Sequence, residues 1–416
     1  MIRRNTEIAL RASLADTRVV LLNGARQTGK STLALQIVEQ MNATYVNLDD
    51  AATLALATSD PRGLIQGMDN RIVIDEVQRA PELFPEIKME ADANPQPGRF
   101  LLTGSANVLL LPQLSEFLTG RIEIITLWPL SQGEIEGRRE RFVDFLFSQK
   151  AKPRKNDARV SRLDISKRIL SGGYPEAIKR KDAARRREWY GAYISTLLQR
   201  DVRDLAHIDR LADMPRLLSV LAARTGNLMN MSELSRTTGI AFSTLRRYLG
   251  LLEATFVLQI IPAWSTNLSK RLVKSPKIFL IDGGLTAYLI GQTDPRTLQE
   301  STQFGHLLEA FVVMELRKQI GWSETHCSIY HYRSSSGREV DILLEDQQGR
   351  LVGLEIKASA RVGKKDFTGL ESLAEIAGDK FIRGVVLYTG DVVLPFGSRF
   401  SAMPISALWT GGLDEG

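Results

Sequence analysis

Gly24-Ala25-Arg26-Gln27-Thr28-Gly29-Lys30-Ser31 sets two glycines, a lysine and a hydroxyl at the spacing G-x-x-x-x-G-K-[ST]. The glycines let backbone N–H groups turn inward around phosphate oxygens. A helix starting near Lys30 directs its positive dipole end at the same anion. Lys30 then supplies a point charge for the β- and γ-phosphates, and the Ser31 hydroxyl a ligand for Mg²⁺. The predicted binding set is Gly24, Ala25, Arg26, Gln27, Thr28, Gly29, Lys30, Ser31 and Thr32, with ATP and Mg²⁺ as cofactors. A second element agrees with it: Ile72-Val73-Ile74 is an apolar run ending in Asp75-Glu76. Asp75 suits a metal held through water, and Glu76 a general base that orients the attacking water. Thr103 and Ser105 follow another apolar run and suit a polar sensor of the γ-phosphate, or a plain strand-to-helix turn with a serine cap. Arg121 is a candidate for the arginine that stabilises the transition state, and Arg200 a second one. Either can instead be structural, or act on a neighbouring copy.

A second constellation lies near the other end. Glu309 falls in a helical stretch, Asp341 in Glu339-Val340-Asp341-Ile342, and Glu355 and Lys357 in Leu354-Glu355-Ile356-Lys357. Residues two apart on a strand share a face, so Glu355 and Lys357 point together. Three carboxylates and one lysine in this order match the D…(E)-x-K pattern of metal nucleases, in which Mg²⁺ activates a water. Such charges are equally the wet face of a half-buried sheet. Between the two constellations, Met231–Ile240 and Ser243–Leu252 read as a helix-turn-helix with Arg246 and Arg247 outward. That layout suits a helix that reads DNA, and also a module that only packs on an ATPase core. His326, Cys327 and His331 are too few for a closed zinc site.

The elements that must carry these residues alternate over residues 1–135. Strands are expected at 19–22, 44–48, 71–76, 99–103 and 121–126, with helices between, which predicts a parallel sheet covered on both faces. Adjacent Asp75 and Glu76 point to the ATPase branch that inserts a strand between these two, here Phe100–Leu102. Helices are expected over 185–225, and strand signals return at 277–282 and 329–390.

The chain has 416 residues, enough for two or three domains. One cysteine excludes an intrachain disulfide scaffold. No apolar run approaches the roughly 18–20 residues needed to cross a membrane, and no signal peptide is evident. A cytoplasmic protein without membrane partners is therefore expected. Net charge is +6, yet residues 138–187 hold 17 Lys or Arg against 6 Asp or Glu, so the rest of the chain is acidic. That stretch is either a solvated linker or the seat of an anionic partner such as DNA or RNA; Arg138, Arg139, Lys152, Arg154 and Lys155 would test which.

Together with Leu127–Ser131, Gly172–Ala177, Arg200-Asp201, Phe279–Leu285 and Gly337–Asp341, these motifs resemble a family. It is the prokaryotic AAA-like P-loop ATPases with a C-terminal domain of unknown function of PD-(D/E)XK nuclease-like fold. The resemblance spans nearly the whole chain. It implies an α/β multidomain architecture: an ATPase domain (1–135), a basic linker and helical region (136–210), a winged-helix-like domain (211–265) and a nuclease-like domain (266–416). The expected function is ATP binding and hydrolysis that drives domain rearrangement in a nucleic-acid-related process. The alternatives are an ATP-regulated Mg²⁺-dependent nuclease and a nucleotide-controlled switch for a protein partner or a second copy of the chain.

Overall fold

The computed structural model describes residues 2–68, 71–105, 120–148, 159–202, 211–334 and 337–410. Lys152, Arg154 and Lys155 lie outside the described residues, as does the side chain of Arg200.

The N-terminal sheet is built on short apolar strands. β1 (Val19–Asn23), β2 (Thr44–Asn47), β3 (Ile72–Asp75), β4 (Phe100–Gly104) and β5 (Ile122–Thr126) are all parallel, in the order β2-β3-β4-β1-β5. β4 lies between β1 and β3, as the Asp-Glu strand end implies. β1 is buried on both faces, so its apolar residues run continuously instead of alternating. α1 (Thr6–Asp16) and α2 (Lys30–Met41) cover one face with Leu10, Leu14, Leu33 and Ile37. α3 (Leu83–Ala93) and its neighbours cover the other with Phe84 and Ile87.

Residues 142–147 do not run as a solvated connector. Phe142-Val143-Asp144-Phe145-Leu146-Phe147 is a helix buried at every position, inside the C-terminal core. Charge counted across a long window hides these apolar residues. The one carboxylate among them, Asp144, accepts from the Thr325 N–H at 2.9 Å.

A helical middle follows. α4 (Ala183–Thr196) brings Tyr190 and Tyr193 against Tyr174 in an aromatic cluster. α5 (Met214–Ala223), α6 (Met231–Thr238) and α7 (Phe242–Ala254) then form a three-helix unit, with Gly239 ending α6 in the left-handed region. Arg246 and Arg247 are exposed on α7. β6 (Leu258–Ile261) pairs antiparallel with β7 (Lys277–Leu280), so residues 277–280 complete a hairpin begun before residue 265.

The C-terminal unit is a mixed sheet ordered β12-β13-β11-β10-β9-β8. Its strands are β8 (Cys327–Arg333), β9 (Glu339–Asp346), β10 (Leu351–Lys357), β11 (Phe381–Tyr388), β12 (Leu394–Pro395) and β13 (Phe400–Pro404). β10, β11 and β13 are parallel, and β8 and β9 antiparallel. α8 (Gln303–Ile320) packs on one face and α9 (Thr368–Ala377) on the other. Among the described residues no helix is long and apolar enough to cross a membrane.

Candidate functional site

The loop at the C-terminal end of β1 turns where only glycine fits. Gly24 has φ 143°, and a Cβ there would stand 2.2 Å from the Leu127 carbonyl oxygen. Gly29, at φ 98°, caps α2 at its N-terminus. Lys30 is the first residue of α2 and is buried. Its Nζ folds back onto the Gly24 and Ala25 carbonyls, at 3.0 Å each. The Thr28 hydroxyl donates to the Ala25 carbonyl at 2.9 Å.

Asp75 ends β3 beside this loop, and Ser31 donates to its Oδ1 at 3.1 Å. That separation is close to the edge of an octahedron of oxygens around Mg²⁺, roughly 3 Å. Two hard oxygen donors at this spacing fit the ion. Thr103 is fully buried; its hydroxyl donates to the same Asp75 oxygen and accepts from the Glu76 N–H at 3.1 Å. It therefore ties the Asp75 carboxylate to the Glu76 backbone. Glu76 sits in the left-handed region, φ 59°, and its carboxylate accepts from the Gln78 amide. That amide also donates to Ser105 Oγ at 3.0 Å. Gln78 and Tyr45 are residues that sequence reasoning missed. The Tyr45 hydroxyl donates to Asp75 Oδ2 at 2.8 Å, and burial together with the Asp75 charge raises its pKa. An Asp-Glu strand end gives no hint of which neighbouring strand supplies such a donor.

Arg121 is not brought to the site. It precedes β5, the neighbour of β1, at the N-terminal end of the parallel strands, where its guanidinium pairs with Asp92. Parallel pairing of β1 and β5 puts the start of β5 level with Val19, a full strand away from the loop. Within its own chain Arg121 therefore does not reach a nucleotide held there.

Behind the loop, Arg4 is buried and makes three bonds. It donates to the Thr28 carbonyl (2.7 Å), the Trp128 carbonyl (2.6 Å) and Glu134 (3.1 Å). Glu134 opens the short helix Gln132–Glu136, capped reciprocally by Ser131. The Gln132 N–H donates to Glu315 on α8 at 2.9 Å, and Lys318 on α8 donates to the Leu130 carbonyl at 3.0 Å. The Trp128 ring meets Phe256 edge-on at 5.8 Å. Leu130 N–H donates to Gly173, whose own N–H donates to Asp282; Asp282 also accepts from Tyr190. The Leu127–Ser131, Gly172–Ala177 and Phe279–Leu285 motifs thus meet in one buried junction between the phosphate loop and the rest of the chain.

Glu140 lies in this junction, accepting from Asn5 and the Gly133 N–H at 2.6 Å each. Burial, then the charge of Glu315, pushes its pKa up to about 8; Glu134 adds to the rise, and Arg4 and Lys318 are the nearby cations. Between its ordinary range and about pH 8 the folded protein holds a proton that the unfolded chain releases. Stability therefore falls as pH rises through that window. Glu140→Gln should flatten this slope, because the variant has no proton to release there. Thermal melts from pH 5 to 9 read it directly.

In the C-terminal unit the predicted residues converge. Lys357 donates to Glu355 at 2.8 Å, and the Ile356 N–H donates to Asp341 at 2.9 Å. Burial, then the Asp341 charge, pushes the pKa of Glu309 and of Glu355 up, while Lys277 beside Glu309 and Lys357 beside Glu355 pull against the rise. Lys277 of β7 lies among them, donating to Glu309 at 2.6 Å and standing 3.5 Å from Asp341. Among the described residues no three His, Cys, Asp or Glu are grouped to hold a metal.

Comparison with known proteins follows the same division. An AAA domain matches residues 16–136, and two domains of unknown function match 162–296 (DUF8612) and 304–408 (DUF4143). Uncharacterized proteins of Mycobacterium tuberculosis and Mycobacterium bovis are each 30% identical over 419 residues, 99% of this chain and 86% of theirs. The chain belongs to the AAA-like P-loop ATPases that carry a C-terminal domain of unknown function. An uncharacterized protein of Haemophilus influenzae is 24% identical over 77% of this chain and 79% of its own. Among solved structures, the Thermotoga maritima RuvB Holliday junction branch migration motor aligns with 61% of this chain and 86% of its own. Identity there is 18% and the TM-score 0.29, a level that carries no functional argument. In this chain the buried junction joins the phosphate loop and the Asp75–Glu76 strand end to the remaining domains.

Proposed function

We propose that this protein hydrolyses ATP with Mg²⁺ and uses the cycle to move its C-terminal unit against its ATPase domain, in a process acting on nucleic acid. Lys30 and the loop N–H groups bind the phosphates, Ser31 and Asp75 hold Mg²⁺, and Glu76 orients the attacking water. The observation that carries the reading is the run of buried polar contacts from the Thr28 carbonyl through Arg4 and Trp128 to α8. A γ-phosphate drawing Lys30 off the Gly24 and Ala25 carbonyls would change the loop that Arg4 holds from behind. Arg121 lies at the far end of its strand from the loop, so an arginine that completes the site is Arg200 or one from a second copy of the chain.

The nucleic-acid part rests on exposed Arg246 and Arg247 of α7 and on the basic stretch 138–187. Anisotropy of labelled DNA and RNA, over a salt series with and without a non-hydrolysable ATP analogue, tests it. Binding should weaken steeply with salt, Arg246→Ala/Arg247→Ala should reduce the slope by about 1–2, and the analogue should change the affinity. A flat salt response would favour a switch for a protein partner.

A further inference from the structure

The carboxylates of the C-terminal unit are already neutralised from outside that unit. Lys277 opens β7, paired to Ile261 across the hairpin and bridged to Leu228 on its other side, so its backbone is fixed from both directions. Its side chain is 8% exposed and is aimed at Glu309 (12%) and Asp341 (18%). Glu309 comes from α8 and also lies against Gly226, whose N–H is bonded to β7. Asp341 comes from β9 and is held by the Ile356 N–H. Glu355 spends one oxygen on Lys357.

A buried ammonium with carboxylate oxygens at 2.6 and 3.5 Å fills the space in which a divalent cation would gather the same oxygens. A metal gathering the Glu309 and Asp341 oxygens at that point would stand directly against the Lys277 ammonium, like charge against like. Burial opposes the charge on Lys277, but Glu309 and Asp341 outweigh it and raise its pKa, so the ammonium persists at neutral pH.

We infer that Lys277 is the resident cation of this cluster, and that the C-terminal unit engages its partner without a divalent metal and without cutting a phosphodiester. The same contact clasps the β6–β7 hairpin to α8 and β9. The position between Glu309 and Asp341 is therefore taken by an ammonium, while Glu355 gives one oxygen to Lys357 and keeps the other buried without a hydrogen-bond partner.

Mn²⁺ titration of the nucleotide-free full-length chain, read by the EPR signal of free Mn²⁺, tests this. Wild-type binding should be the same as that of Glu309→Gln and Asp341→Asn. Lys277→Met should gain about one Mn²⁺ per chain, and Glu309→Gln added to it should remove that ion. Where Lys277→Met folds only with Mn²⁺ present, by circular dichroism, the inference is supported in the same sense. It is overturned by a wild-type Mn²⁺ site that Glu309→Gln or Asp341→Asn abolishes, or by folded Lys277→Met that gains none. Should Lys277→Met fold under neither condition, the wild-type comparison decides alone.

Discussion

Lys30→Ala should lower ATP turnover by a factor on the order of 10²–10³, the loss seen when one preorganised charge or donor is removed from a transition state. The side chain is buried in its own loop, with Nζ bonded to two carbonyls, so its removal leaves the loop backbone in place but takes away the charge that meets the β- and γ-phosphates. A coupled phosphate-release assay reads the turnover, and binding of a fluorescent ATP analogue separates lost affinity from lost chemistry. Native turnover in this variant would remove the phosphate loop from the reaction altogether. Glu76→Gln offers the contrast: its carboxylate is bonded to the Gln78 amide, so analogue binding should survive while hydrolysis fails.

Arg4→Ala should be the most damaging single change outside the loop. Glu134 is fully buried and loses its only guanidinium among the described contacts, keeping the Asn5 and Ser131 N–H donors, so the loss approaches the lower end of the about 3–5 kcal/mol for breaking a buried pair. The Thr28 and Trp128 carbonyls lose a donor at the same time. A lowered Tm is expected, with partial recovery in Arg4→Ala/Glu134→Gln, because the second change removes the stranded charge. The double variant also answers a functional question. If it folds, binds ATP and no longer transmits nucleotide state to the C-terminal unit, as read by protease accessibility with and without analogue, the junction is the coupling element. Unchanged nucleotide-dependent protection would place the coupling elsewhere.

The features legible in the sequence are those written in consecutive residues. Eight residues encode the phosphate loop, and five encode β3 with its two carboxylates. The adjacent Asp and Glu alone were enough to place β4 between β1 and β3. The order of Glu309, Asp341, Glu355 and Lys357 likewise predicted that these residues would gather. What the sequence hid is assembled from far apart. Arg4 meets partners 24, 124 and 130 residues away, and nothing around it marks it as more than a surface arginine near the start. Lys277 begins an apolar strand, where a lysine reads as a solvated end, and only the docking of α8 and β9 buries it. Residues 142–147 were masked by the charged residues on either side. Nothing in the residues around Arg121 says that it precedes its strand, at the end of the sheet away from the loop.

The strand order of the N-terminal sheet also bears on how the protein is made. β1 leaves the ribosome early, but its neighbours are β4 and β5, whose last residue is Thr126, about 100 residues later. At roughly 5–20 residues per second, Val19-Val20-Leu21-Leu22 waits on the order of 4–16 seconds for β4, its first neighbour, and about a second or more beyond that for β5. Throughout that interval the nascent chain presents an apolar segment suited to a chaperone. The future ATP site can only be assembled after β5 has emerged.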